Sequence, residues 1–341
     1  MLQSPIPTWT RGVPAHQEYF TFTNNAWHPV EVTGPTEPRD NGTPQPFQFS
    51  VLSWNIDFMR PMPHARMAGA LKHLHSLVDG QPNRHVIMLN EMVVSDLDLI
   101  RHTDWVRTGY NITDVSNFHW ESPGYGTCML IPRSLPIQSV FRVHYPDTAM
   151  QRDALFVDVS LPGSRTLRLC STHLESLAPN PPKRPSQLAL AASYLHQPAA
   201  ATTATTTIVG GVLAGDLNAV QDFDRTLPEE NGLRDAYLEC GGVEGTEEGM
   251  TWGQMAHRDQ RERFGLSRMD KVLFCGEGLE VVGFERFGMD VLVDGGEAIE
   301  RQLVMMTGLE RPWVTDHLGV KADFRLAVPQ EGGGEGQGGG S

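Results

Sequence analysis

Residues 207–220 read TIVGGVLAGDLNAV. An apolar run from Ile208 to Gly215 stops abruptly on Asp216, Leu217 and Asn218. A short run rich in Val and Leu, bounded by turn formers, reads as a buried strand. Asp and Asn at its end have an ordinary explanation, because both hydrogen-bond their own main chain in turns. They also have a chemical one: an acid and an amide aimed at a single spot. This stretch alone does not choose between them.

The same pattern recurs along the chain. SWNID (53–57) carries Asn55 and Asp57, MLNEM (88–92) carries Glu91, and CSTHLES (170–176) carries His173 and Glu175. VTDHLGV (314–320) carries Asp316 and His317, and SRMDKVLF (267–274) starts a strand with Asp270. Any one of these is better read as a turn or cap residue. The set is different. Acids and amides beside apolar strands are costly to bury unless cations or hydrogen-bond partners meet them. A hard divalent cation and a phosphate would satisfy them together. Mg²⁺ suits such a site, since it takes few carboxylates and shares its coordination with substrate oxygens.

Strands and helices alternate between these motifs. FQFSVLSWNI (47–56) places Val51, Ser53 and Asn55 on one side and Leu52, Trp54 and Ile56 on the other, which is a strand pattern. Residues 63–80 space Met67, Ala70, Leu71, Leu74, Leu77 and Val78 helically, with Pro63 at the start and Gly80 after the end. HVIMLNEM (85–92) reads as a buried strand, followed by a short helix that Ser95 is placed to cap. Strands are predicted at YGTCMLIP, DALFVDVSL, LRLCSTHLE, TIVGGVLAG, MDKVLFCG, LEVVGFERF and DHLGVKADFRL, and a helix at KRPSQLALAASYLHQ. Many strands with few helices point to two sheets packed face to face with helices outside. Residues 1–46, rich in Pro, Thr, Asn and Gly, read as an extended or partly disordered arm, and 329–341 as a flexible Gly-rich tail. PAAATTATTT (198–207) reads as a surface loop. The domain between arm and tail spans 47–328.

The bulk properties narrow the function. The chain has 341 residues, 40% hydrophobic and 20% charged, as a globular protein does. No apolar run is long enough to span a bilayer. The first residues lack a basic segment followed by an apolar core, so the expected location is inside the cell, nucleus or cytoplasm, not secreted. Cys128, Cys170, Cys240 and Cys275 lie far apart without a CxxC pair, which argues against a zinc site and for free thiols. The net charge of −14 excludes binding to nucleic acid or acidic lipid through the overall field. It leaves room for a metal-dependent enzyme that meets a phosphate locally.

SWNID, NEM, STHLES, GDLN, RMDKVLF and TDHLG, in this order, resemble the motifs of the endonuclease/exonuclease/phosphatase superfamily over residues 47–326. THLES, the Gln-containing helix RPSQLALAASYL, GDLN, MTWGQM and SRMDKVLF look most like its tyrosyl-DNA phosphodiesterase branch. The resemblance implies a four-layered α/β sandwich, two mixed β-sheets flanked by helices, of the DNase I-like kind. It implies a Mg²⁺-dependent phosphodiesterase, with Mn²⁺ as an alternative ion, acting as a monomer on a 5′-phosphotyrosyl nucleic-acid end in DNA repair, away from membranes.

It also implies residue roles. Glu91 would bind the metal, with Asn55 and Asp57 supporting its shell and Asn55 also touching phosphate. Asp216 would orient or deprotonate the attacking water, and Asn218 would hydrogen-bond the phosphate or the nucleophile. His317 would donate to a phosphate oxygen with Asp270 fixing its ring, and His173 would be a second donor. Arg152 matches an arginine used near phosphate, although Gln151 stands where Gly is usual; a surface ion pair is its other reading. Trp252 matches a tryptophan that packs on nucleic acid, although Gly253 replaces an acid; its other reading is a core residue. Asp316 would brace the site. Asn90 stands where Gln is frequent. Glu175 and Ser176 read as local hydrogen-bond partners, and His64, His73 and His75 as surface residues of a helix. Two other readings stay open: the same chemistry on a phospholipid, sugar phosphate or RNA, with DVLVDGG (290–296) as the one apolar element to reach a membrane, or a non-catalytic binding module on the same scaffold.

Overall fold

The computed structural model describes residues 9–32, 46–81, 84–161, 165–196 and 207–327. Its strands are β1 (Pro14–His16), β2 (Tyr19–Thr23), β3 (Ala26–Val30), β4 (Phe47–Asn55), β5 (His85–Met92), β6 (Tyr110–Ile112), β7 (Gly126–Pro132) and β8 (Ile137–His144). They continue with β9 (Asp153–Leu161), β10 (Arg165–Thr172), β11 (Thr207–Asp216), β12 (Arg234–Asp235), β13 (Asp270–Cys275), β14 (Leu279–Phe287) and β15 (Gly319–Leu326). One sheet has the order β1-β8-β9-β10-β11-β13-β12, the other β14-β15-β4-β5-β7-β6-β2-β3.

The alternation read in 47–56 holds. Phe49 and Val51 enter the core between the sheets, where they join Val86, Met88, Leu155, Val157, Leu169, Val212 and Phe274. Leu52, Trp54 and Ile56 face the other way, against Met67, Ala70, Leu71 and Leu74 of the helix Pro63–Val78. The helix Arg184–His196 covers the first sheet with Leu188, Ala191, Ala192 and Leu195. Helix, sheet, sheet, helix is the four-layered sandwich expected.

The topology explains why the acidic motifs meet. Among the described strands, β4–β5 and β10–β11 pair in parallel and the rest antiparallel. Parallel neighbours need a crossover, and the two helices above lie in those connections. Parallel strands end at the same edge of their sheet, so Asn55 arrives beside Asn90 and Ser171 beside Ala214. β13 runs antiparallel to β11, which sets its first residue, Asp270, opposite Asp216. β15 runs antiparallel to β4, with Val320 opposite Ser53, which returns His317 to the same edge.

Two readings need correction. The described part of the expected arm, 9–32, belongs to the sandwich: β1 pairs with β8, and β2 with β6 and β3. Gln17 is buried and donates to Thr113 O at 3.0 Å, and the Trp9 indole donates to Glu121 Oε2 at 2.8 Å. These are short strands at the sheet margins, with β1 and β3 outermost, too brief and too partly exposed to leave a period of two. Ser95 lies inside the helix Val94–His102, whose entry is closed by Asp96 accepting from the Val93 N–H at 2.8 Å. The loop expected at 198–207 and the tail at 329–341 fall outside the described residues, apart from Thr207, which begins β11.

Candidate active site

The strand edge gathers Asn55, Glu91, His173, Asp216, Asn218, Asp270 and His317, which the sequence scattered over some 260 positions. Asp216 is the hub. Its Oδ2 accepts from Asn55 Nδ2 at 2.9 Å and lies 3.4 Å from His173 Nε2 and 3.8 Å from His317 Nε2. Its Oδ1 accepts from the Asn218 N–H at 2.9 Å, so the turn geometry of the motif serves the carboxylate. Asn218, with φ 48°, spends one amide proton on Leu174 O at 3.1 Å. The hub is built tightly from behind. The Asp216 N–H donates to Asn90 Oδ1 at 3.1 Å, and a Cβ on Gly215, φ 154°, would stand 1.7 Å from Thr172 O. Only glycine fits there.

On one side of Asp216, His317 Nδ1 donates to Asp270 Oδ2 at 2.8 Å. Its Nε2 also lies 3.9 Å from Asp316 Oδ1. Burial pushes the imidazole pKa down, but Asp270, Asp216 and Asp316 outweigh it and hold it well above the ordinary value. Burial works on Asp270 too, raising it to about 6 against the pull of His317. On the other side, Arg152 Nη1 donates to His173 Nδ1 at 2.6 Å. Burial and that guanidinium lower the His173 pKa to about 4. Burial favours a neutral Asp216, yet His317 and His173 override it and keep its carboxyl well below the usual carboxylate range.

Glu91, in the left-handed region at φ 55°, accepts from the Phe58 N–H at 3.1 Å and faces His173 Nε2 at 3.6 Å. Burial, and then the charge of Asp57, raise its pKa to about 7. Ligand atoms of Glu91, His173 and Asp216 lie within 4.8 Å of one another, as do those of Asp216, Asp270 and His317. A carboxyl that resists ionisation beside a second, ionised carboxylate forms a donor set that a hard divalent cation fits. Asp57 is engaged otherwise. It pairs with Arg60 Nε at 2.7 Å and accepts from the Met59 N–H at 3.1 Å; burial and Asp316 raise its pKa to about 6.

The remaining expectations divide. Arg152 is buried at the site and is not a surface ion pair; besides His173 it donates to Ser176 Oγ at 2.9 Å and lies 5.0 Å from the Tyr125 ring centroid. Gln151 takes φ 57°, the conformation glycine favours. Of the two readings of Trp252, the structure agrees with the core residue. It is 8% exposed, and its indole donates to Asp316 Oδ2 at 2.9 Å, so it offers no open face. Asp316 lies between the Trp252 indole and Arg60 Nη2, 3.8 Å from the latter. His64 is exposed, His73 packs edge-on to Trp54 and His75 stacks on Trp105, all on the helix Pro63–Val78. In DVLVDGG, Val293 is buried and Val291 packs on the core, so this segment presents no apolar face. The four cysteines are free. Among the described residues, no helix is long and apolar enough to cross a membrane.

Sequence reasoning missed two arginines. Arg60 bridges Asp57 and Asp316. Arg66, fully buried, donates to the carbonyls of Ile56, Pro61, Arg60 and Val314 and so fastens the loop after β4 to the loop before β15. The signal for Arg66 was an arginine on the apolar stripe of a helix.

Two mixed sheets with an acid–amide–histidine centre at one edge define a four-layered α/β hydrolase. A family model described as Endonuclease/Exonuclease/phosphatase family matches residues 52–317, and the chain belongs to that family. Its members are hydrolases that generally use divalent metals. The fold is similar to D. rerio TDP2 complexed with single strand DNA product: 18% identity over 81% of this chain and 98% of that one, TM-score 0.59. It is similar to truncated Caenorhabditis elegans TDP2, at 21% identity over 82% and 98%, TM-score 0.58. ANGEL2, a 2′,3′-cyclic phosphatase, is similar at 18% identity over 82% and 96%, TM-score 0.50. No curated protein matches the chain in sequence.

Proposed function

We propose that the chain is a divalent-metal-dependent phosphodiesterase, with Mg²⁺ as its ion, that acts on a nucleic-acid end carrying a 5′-phosphotyrosyl adduct. The observation that carries the reading is Asp216, an ionised carboxylate between a cationic and a neutral histidine beside Glu91. Glu91, with the Asp216 carboxylate nearby, would hold the cation, and Asn55 would support its shell. The bound ion would neutralise charge on the phosphoryl group and polarise it.

The chain's own residues would do the following. Asp216 orients the attacking water as a permanent acceptor; its depressed pKa makes it a weak proton sink, so positioning is its larger contribution. Asn218 offers Oδ1 and its second amide proton to that water or to the phosphate. Cationic His317 donates from Nε2 to a phosphoryl oxygen while Asp270 holds Nδ1–H, and His173 donates from Nε2 as a neutral ring. Both donors would meet the charge that grows on the phosphoryl oxygens in the transition state. Arg152 adds a fixed cation behind His173. The nucleic-acid substrate is supported by the motif resemblance and by the fold likeness to a DNA-bound relative. With a chain charge of −14, attraction would be confined to this centre.

The test is a single-stranded oligonucleotide bearing a 5′-tyrosine, assayed for the free 5′-phosphate with Mg²⁺ and with EDTA, beside Asp216→Asn. Metal-dependent release that the variant loses is the expected result. Parallel arms use adenosine 2′,3′-cyclic phosphate and bis(p-nitrophenyl) phosphate. Cleavage of either without release of tyrosine would keep the phosphodiesterase and discard the substrate. No hydrolysis of any of the three would discard both.

A further inference from the structure

Arginine has no acceptor, so a guanidinium 2.6 Å from His173 Nδ1 requires that this nitrogen carry a lone pair. The ring proton then sits on Nε2, the atom that faces Asp216 at 3.4 Å and Glu91 at 3.6 Å. What holds Arg152 in that position is a second carboxylate. Glu175, 1% exposed, accepts from the Ala149 N–H at 2.9 Å, the Met150 N–H at 3.1 Å and Thr148 Oγ1 at 2.8 Å. Thr148 Oγ1 in turn accepts from the Arg152 N–H at 3.0 Å. Gln187, on the helix Arg184–His196, steadies Glu175 from both ends: its Oε1 accepts from the Glu175 N–H at 2.8 Å and its Nε2 donates to Oε2 at 3.2 Å. The next residue completes the grip, since Ser176 Oγ accepts the other arm of the guanidinium at 2.9 Å.

We propose that Glu175 is a positioning residue: it shapes the loop 148–151 so that Arg152 meets His173 Nδ1, and thereby sets the tautomer that His173 presents to the reacting centre. This inference rests on the phosphodiesterase reading for its consequence, but not for its primary readout. A loop that must place Gln151 at φ 57° needs such an anchor, because a non-glycine residue there is held against its preference. The carboxylate meets three donors of one loop and, among the described residues, forms no ion pair. A surface ion pair would not be built so.

The primary test is ¹⁵N NMR of the imidazole rings in metal-free protein, with His173 assigned by its loss in His173→Gln. In the unaltered chain His173 is expected as the neutral ring protonated at Nε2. Glu175→Ala is expected to give a mixture of the two tautomers. Glu175→Gln, which keeps an oxygen for the Ala149 and Met150 N–H groups, should restore the single tautomer in large part. In turnover, Glu175→Ala should lower kcat roughly 10–100-fold with little change in KM, and Glu175→Gln should recover much of it. If Glu175→Ala does not fold, Thr148→Val cuts the same link at a partly exposed loop and is expected to shift the tautomer in the same direction. An unchanged His173 tautomer in whichever of these variants folds overturns the proposal. An altered tautomer with no hydrolysis by any form of the protein would instead overturn the phosphodiesterase reading and leave the positioning role standing.

Discussion

The two histidines beside Asp216 share a carboxylate and little else. His317 is ringed by acids, with Asp270 at Nδ1 and Asp216 and Asp316 near Nε2. His173 is backed by a cation, Arg152, at the same ring atom where His317 has an acid. Both rings are buried, so burial alone would neutralise both. The neighbours decide: three carboxylates overturn the desolvation cost in one half, and one guanidinium reinforces it in the other. One side of the site thus offers a cation and the other a neutral donor, from the same residue type. The contrast teaches that a histidine in a motif has no role until its Nδ1 partner is known.

The largest effect is expected where the halves meet. Asp216→Asn removes the charge that both rings face, and hydrolysis should fall roughly 10²–10⁴-fold with the fold retained, measured as initial rate beside a circular-dichroism control. Next come changes that break one half. Asp270→Asn takes a raising partner from His317. A cationic donor is lost as pH rises through its pKa, so the alkaline limb of the pH–rate profile should move down toward the ordinary histidine value of about 6.5. Arg152→Met acts oppositely on the other half: it removes a lowering partner, and the pKa of His173, seen by NMR, should rise from about 4.

A smaller effect concerns stability. Glu91 ionises near 4.5 unfolded and about 7 folded. Its raised pKa means that its charge opposes folding, increasingly as pH climbs from 4.5 to 7 and fully above 7. Glu91→Gln should therefore stabilise the metal-free protein above pH 7 by about 1–3 kcal/mol, and under the proposed function it should lose the stabilisation expected of the unaltered chain on adding Mg²⁺. Denaturant melts with and without EDTA measure both. The smallest effect is Trp252→Phe, which deletes one hydrogen bond to Asp316 and should cost about 0.5–1.5 kcal/mol of stability. A large rise in KM there, with stability unchanged, would return Trp252 to the substrate.

The strands that matter were legible because each runs apolar and then stops on an acid, an amide or a histidine. Asn55, Glu91, His173, Asp216, Asp270 and His317 could be picked out by that pattern and by motif order. Residues whose role depends on packing were not. Arg152 looked the same as a surface arginine until β9 and the loop before it buried the guanidinium against His173. Trp252 looked able to stack on a base until its indole was found spent on Asp316. The strands β1 and β2 are short and their partners, β8 and β6, are distant in sequence, and local periodicity carries no record of such pairings. The opposite protonation of the two histidines was the least legible feature, because it is set by neighbours that the sequence separates by 21 and 47 positions.

The most direct measurement is a ¹⁵N NMR titration of the imidazole rings in metal-free protein, with the two signals assigned through His317→Gln and His173→Gln. Near neutral pH His317 is expected to be protonated on both nitrogens and His173 on Nε2 alone. A neutral His317, or a His173 that carries both protons, would contradict that assignment.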